Sequence, residues 1–69
     1  MAMTLKAARV NAGFTQREAA RLLQVGRNAL SSWEQGKSAP RETQIRKIEE
    51  VYGVSYNDLI FLPQNTLKA

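Results

Sequence analysis

The chain has 69 residues, 43% of them apolar and 23% charged, which fits one ordinary globular domain with a small core. It contains neither cysteine nor histidine, so disulfides, thiolate metal sites and the commonest general base are excluded, and no metal, cofactor or enzymatic chemistry is expected. A net charge of +4 suits a polyanionic partner. No apolar run approaches the roughly 18 to 20 residues that span a bilayer, and the start Met-Ala-Met-Thr-Leu-Lys is unlike a signal peptide, so a cytoplasmic protein is expected.

The spacing of apolar residues predicts an all-α domain of five helices without strands, because alternation of apolar and polar residues never persists. Helix 1 is expected from about Thr4 to Ala12, with Leu5, Ala8 and Ala12 on one face and Gly13 as a left-handed terminator. Helix 2 opens on Thr15 and Glu18, a Thr-x-x-Glu capping box in which each side chain satisfies an orphan backbone donor of the other residue. Phe14, just before that cap, can staple onto Ala19, although alanine offers little area. Helix 2 is expected to end near Leu23 and helix 3 to begin at Gly26 or Arg27. Helix 3 runs to about Gln35, and Gly36 stops it.

The apolar positions Ala19, Leu23, Val25, Leu30 and Trp33 of helices 2 and 3 point to one core, with small Ala20 where the helices cross. Lys37 to Pro40 read as a loop, with Pro40 suited to the first turn of helix 4. Ile45, Ile48, Val51 and Tyr52 recur at helical spacing until Gly53. Ser55 and Asp58 then repeat the capping logic for a short helix 5 reaching Phe61 or Leu62. Residues 63–69, beginning with Pro63, read as a polar tail after a domain of residues 1–62.

Charge is segregated along the chain. Residues 15–41 hold Arg17, Arg21, Arg27, Lys37 and Arg41 against Glu18 and Glu34, whereas residues 42–58 hold Arg46 and Lys47 against Glu42, Glu49, Glu50 and Asp58. The positive field sits on the two-helix stretch, although charge alone is equally compatible with an ordinary solvated surface.

The ordered set Leu5-x-x-x-Arg9, Gly13-Phe14-Thr15-Gln16, Ala20, Leu23-x-Val25, Leu30-x-x-Trp33-Glu34-x-Gly36-Lys37, Pro40 and Gly53-Val54-Ser55-x-x-x-Leu59 resembles the Cro/CI-type helix-turn-helix domain of phage and bacterial repressors. The resemblance covers about residues 4 to 62. It implies a compact five-helix bundle of the lambda-repressor-like type, with the helix-turn-helix in helices 2 and 3, usually binding operator DNA as a homodimer. The chain departs from that pattern at Gln24, where the turn commonly carries glycine, and at Ala19, where leucine is common. A left-handed Gln24 costs roughly 1 kcal/mol, and Ala19 leaves less core volume.

A recognition helix reads base edges with its N-terminal residues. Arg27 can fork onto guanine O6 and N7, and Asn28 can do the same to adenine N6 and N7. Ser31 and Ser32, one turn on, have hydroxyls for a base or a phosphate. The plainer reading of Arg27 and Asn28 is solvent-facing residues at a helix start. Gln16 opens helix 2, where free backbone N–H groups favour a phosphate, and the resemblance implies that it clamps the DNA backbone. Arg17, Lys37, Ser38 and Arg41 flank the same face as further phosphate contacts, whereas Arg21 and Lys6 fit equally well as solvated charges. The resemblance also implies that Arg9 and Glu34 form a semi-buried ion pair with a structural role, and Trp33 reads as a core aromatic.

The apolar run Leu59-Ile60-Phe61-Leu62-Pro63 has more surface than a monomer core needs, so Tyr56 with Ile60 or Leu62 is expected at a two-fold interface. The alternative is that the whole run belongs to the core. The absence of a further domain points to a stand-alone Cro-like regulator; in a longer repressor, a C-terminal domain would carry most of the dimerisation. The function expected is a sequence-specific DNA-binding transcription regulator, a repressor acting on a pseudo-palindromic operator at the nucleoid. The competing expectation is an antitoxin-type module that binds a partner protein through the apolar run and tail, against which the shortness of the tail counts.

Overall fold

A computed structural model describes residues 2–61. Four α-helices, α1 (Leu5–Asn11), α2 (Gln16–Leu23), α3 (Arg27–Gln35) and α4 (Glu42–Tyr52), are followed by a single 3₁₀ turn at Tyr56–Asp58. Two short strands, β1 (Met3–Thr4) and β2 (Leu59–Ile60), pair in parallel, with Met3 opposite Leu59 and Thr4 opposite Ile60.

The helix starts follow from side-chain acceptors. Thr4 Oγ1 accepts from the Ala7 N–H at 3.1 Å and caps α1. At α2 the capping box is complete: Thr15 Oγ1 accepts from the Glu18 N–H at 3.1 Å, and Glu18 Oε1 accepts from the Thr15 N–H at 2.9 Å. That backbone bond, more than any other cause, holds the Glu18 carboxyl below the usual carboxylate range.

All four helices end alike. A left-handed residue follows each one (Gly13, Gln24, Gly36, Gly53), and the next N–H reaches back to the last turn. Those bonds are Phe14 to Arg9, Val25 to Ala20, Lys37 to Ser32 and Val54 to Glu49. Three of the four terminators are glycines, and Gln24, at φ 60°, ψ 42°, is the exception that the sequence marked.

Pro40 does not enter helix 4. It is buried in the loop, Arg41 occupies the cap position, and α4 starts at Glu42. The Gln44 side chain explains the start, its Oε1 accepting from the Arg41 N–H at 2.7 Å. Arginine has no side-chain acceptor with which to return the bond.

The expected fifth helix is one 3₁₀ turn, and the expectation of no strands fails with it. Ser55 caps that turn as the sequence suggested, its Oγ accepting from the Asn57 N–H. The chain then turns extended at Leu59 (φ −103°, ψ 138°) because β1 offers it backbone partners. Strand alternation buries Leu59 and leaves Ile60 exposed. Leu62 and the tail 63–69 lie outside the described residues.

One core joins the elements: Leu5, Ala8, Ala19, Ala20, Leu23, Leu30, Trp33, Ile48, Tyr52 and Leu59. Val25 is half-buried at its edge. Ala19 is 0% exposed, so its small side chain leaves no opening to water. The Phe14 ring has a larger partner than Ala19 in Tyr52 of α4, with ring centroids 6.2 Å apart. Among the described residues, no helix is long and apolar enough to cross a membrane.

Candidate nucleic-acid interface

The angle between α2 and α3 is set before any polar side chain is placed. Ala20, 4% exposed, lets the helices approach, and its carbonyl accepts from the Val25 N–H at 3.0 Å across the turn. Leu23, Leu30 and Trp33 bury the inner faces of both helices. What remains outward on α3 is fixed by helical geometry.

The N-terminal end of α3 is open. Gly26 caps it in extended conformation with no side-chain bond, so the first backbone donors of the helix are left for solvent or a ligand. Arg27 and Asn28 are exposed at this end. Ser31 and Ser32 are half-buried. Ser31 is also engaged along its own helix, its Oγ accepting from Gln35 Nε2 at 2.8 Å.

Gln35 therefore belongs to the outward stripe, seven residues and two turns from Asn28. The helical spacing of Asn28, Ser31 and Gln35 was the signal that could have found it.

Gln16, Arg17 and Arg27 meet at one concavity of about 560 Å³, lined also by Thr15, Glu18 and Arg21. Sequence reasoning ranked Arg21 with the solvated charges, but it faces the same concavity, one turn of α2 beyond Arg17. Lys37, Ser38 and Arg41 are exposed on the α3–α4 connection and do not line that concavity. The seam between α2 and α3 thus carries three guanidinium groups and one carboxamide against a single carboxylate, a surface suited to anionic oxygens.

Behind this surface lies a buried polar cluster. Arg9 Nε donates to Glu34 Oε2 at 2.7 Å and Arg9 Nη2 to Glu34 Oε1 at 3.3 Å. Arg9 Nη1 donates to the Phe14 carbonyl at 2.8 Å. Gln16 Nε2 donates to Glu34 Oε1 at 3.0 Å. The ion pair is buried, with side chains 9% and 4% exposed.

Tyr52 stands close by, and burial, more than the Glu34 carboxylate, pushes its phenol up to about 12. After α4, Tyr56 and Ile60 are 51% and 45% exposed, and the Tyr56 ring packs on Phe61 with centroids 5.8 Å apart.

These features define a helix-turn-helix protein. Residues 5–59 match the helix-turn-helix family, and the chain belongs to it, in its Cro/CI-type branch. Among curated proteins, it is similar to the HTH-type transcriptional regulator ImmR of Bacillus subtilis (strain 168), 41% identical over 56 residues. That alignment takes in 81% of this chain and 44% of the relative, so the chain spans less than half of the relative's length. No solved structure matches the chain significantly.

Proposed function

We propose that this domain is a sequence-specific, double-stranded-DNA-binding transcription regulator, a repressor that occupies a pseudo-palindromic operator at the bacterial or phage nucleoid. The observation that carries the reading is the open N-terminal end of α3. There, exposed Arg27 and Asn28 sit on a helix whose opposite face is locked into the core, beside a concavity shared by Gln16, Arg17 and Arg27.

In this reading α3 enters the major groove, and Arg27 and Asn28 read base edges by bidentate bonds. Ser32 reaches a base or a phosphate, and Ser31 acts beside it while holding Gln35. Gln16 and Arg17 meet the phosphate backbone at the start of α2. Lys37, Ser38 and Arg41 meet it from the α3–α4 connection. Such contacts position the protein without reading sequence. The relative's description as a transcriptional regulator supports the same reading.

One recognition helix gives modest affinity, so two copies bind half-sites about one helical turn, roughly 34 Å, apart. The exposed Tyr56 and Ile60 form the two-fold contact. Repression follows from occupying a promoter and excluding polymerase, a binding role without a catalytic step.

The test is selection of bound duplexes from a random pool. Enrichment of an inverted repeat with half-site centres about 10 base pairs apart is the expected result. Failure to enrich any sequence contradicts the proposal and favours the antitoxin-type module.

A further inference from the structure

The cluster behind the α2–α3 seam does more than fill the core. Glu34 Oε1 accepts from two donors, Arg9 Nη2 at 3.3 Å and Gln16 Nε2 at 3.0 Å, while Oε2 is taken by Arg9 Nε at 2.7 Å. Glu34 lies on α3, the helix proposed to read bases, and Gln16 is the first residue of α2, proposed to meet phosphate. Arg9 comes from α1 and ties in the α1–α2 loop through the Phe14 carbonyl. Three helices and a loop therefore converge on one carboxylate.

From this geometry we infer that Glu34 is a positioning residue for DNA binding: its buried carboxylate fixes the Gln16 carboxamide, and so locks the phosphate contact of α2 to the base-reading face of α3. The inference rests on the proposed DNA-binding role.

A free glutamine on the surface samples many rotamers, and ordering it opposes binding. The bond to Glu34 removes that freedom in advance. It uses one N–H of the Gln16 amide and leaves the other, together with the open backbone donors of α2, for a phosphate oxygen. A bare carboxylate behind a phosphate would repel it. The Arg9 guanidinium, bound to both carboxylate oxygens, cancels that charge and makes the arrangement workable.

A purely structural ion pair makes a different prediction from a positioning one. Replacing both charges with apolar groups of similar volume, Arg9→Met with Glu34→Leu, commonly preserves or raises stability, yet it leaves Gln16 without its acceptor. The experiment compares wild type, Gln16→Ala, the Arg9→Met/Glu34→Leu pair, and all three changes together. Each is assayed as the full chain, for affinity to the selected duplex and for ethylation interference at each phosphate, with folding checked by thermal melts.

The expected result is a loss of roughly ten- to a hundredfold for Gln16→Ala, as for one hydrogen bond to a charged group. A similar loss is expected for the apolar pair, and no further loss when they are combined. Both variants become insensitive to ethylation of the same single phosphate, a readout that general loosening would not move.

Wild-type affinity and an unchanged ethylation pattern in the folded apolar pair, with Gln16→Ala still weakened, overturn the positioning role and leave DNA binding standing. Failure of the wild type to bind any duplex overturns the functional reading itself.

If the apolar pair does not fold, Glu34→Gln serves. Its single oxygen goes to the charged Arg9 Nε, so its amide nitrogen faces Gln16 donor to donor. The same phosphate then loses its ethylation effect, and a retained effect with full affinity refutes the inference.

Discussion

Replacing Gln24 with glycine should stabilise this domain, and the size of the gain can be worked from the turn itself. Gln24 sits at φ 60°, ψ 42°, the left-handed region, among four terminators of which the other three are glycine. That conformation costs a residue with a Cβ roughly 1–2 kcal/mol. Glycine relieves the strain but returns about 0.5–1 kcal/mol as extra freedom in the unfolded chain. The balance is about 0.5–1 kcal/mol in favour of Gln24→Gly. The Gln24 side chain is exposed, so little burial is lost.

In a domain of this size 1 kcal/mol moves Tm by roughly 4–8 °C, so a rise of about 2–8 °C is expected. Thermal melts by circular dichroism at fixed protein concentration measure it, with two further variants as internal controls. Gln24→Asn should fall between wild type and glycine, since asparagine tolerates this region. Gln24→Val should melt lowest, since a β-branched residue fits it worst. A Gln24→Gly protein that melts at or below wild type would refute the strain argument.

Other outcomes follow from the core and the interface. Leu30 is 0% exposed between α2 and α3, so Leu30→Ala should cost about 2–5 kcal/mol in urea denaturation and unfold much of the population at 37 °C. The Tyr52 hydroxyl is buried without a hydrogen-bond partner among the described residues. Tyr52→Phe should therefore leave stability at pH 7 unchanged or raised.

Burial holds the Tyr52 proton on, lifting its pKa from 10.0 to about 12. Because the folded value lies above the unfolded one, this contribution is complete below pH 10 and is lost as pH rises towards 12. Tyr52→Phe should flatten that alkaline decline in denaturation curves. Arg41→Ala should weaken specific and scrambled duplexes alike and reduce the slope of log affinity against log salt by about 1. Ile60→Glu should halve the solution mass of a dimer in sedimentation while leaving the helical circular-dichroism signal intact.

Local chemistry made most of the fold legible. The Thr15–Glu18 capping box and the glycine terminators are written in a few adjacent residues and appear where the spacing placed them, and the left-handed Gln24 stands where the family resemblance implied it. The fifth helix was misread because the Ser55 cap signal is local, whereas the pairing of Leu59–Ile60 with Met3–Thr4 joins opposite ends of the chain. Pro40 lies two residues before the helix it was expected to open, because the Gln44 bond that sets the start of α4 lies downstream.

At the site, the exposure of Arg27 and Asn28 followed from the helical period alone. The bond from Gln16 to Glu34 did not, because it crosses from α2 to α3 and depends on the angle between them. Gln35 was legible in principle through its i, i+4 relation to Ser31.

The central claim is that the exposed N-terminal end of α3 selects the DNA sequence. Its most direct test is to repeat the duplex selection with Arg27→Ala. One base pair in each half-site should lose its preference, by about 1–3 kcal/mol, while half-site spacing and the remaining positions persist. A motif from Arg27→Ala identical to that of the wild type at every position would contradict it.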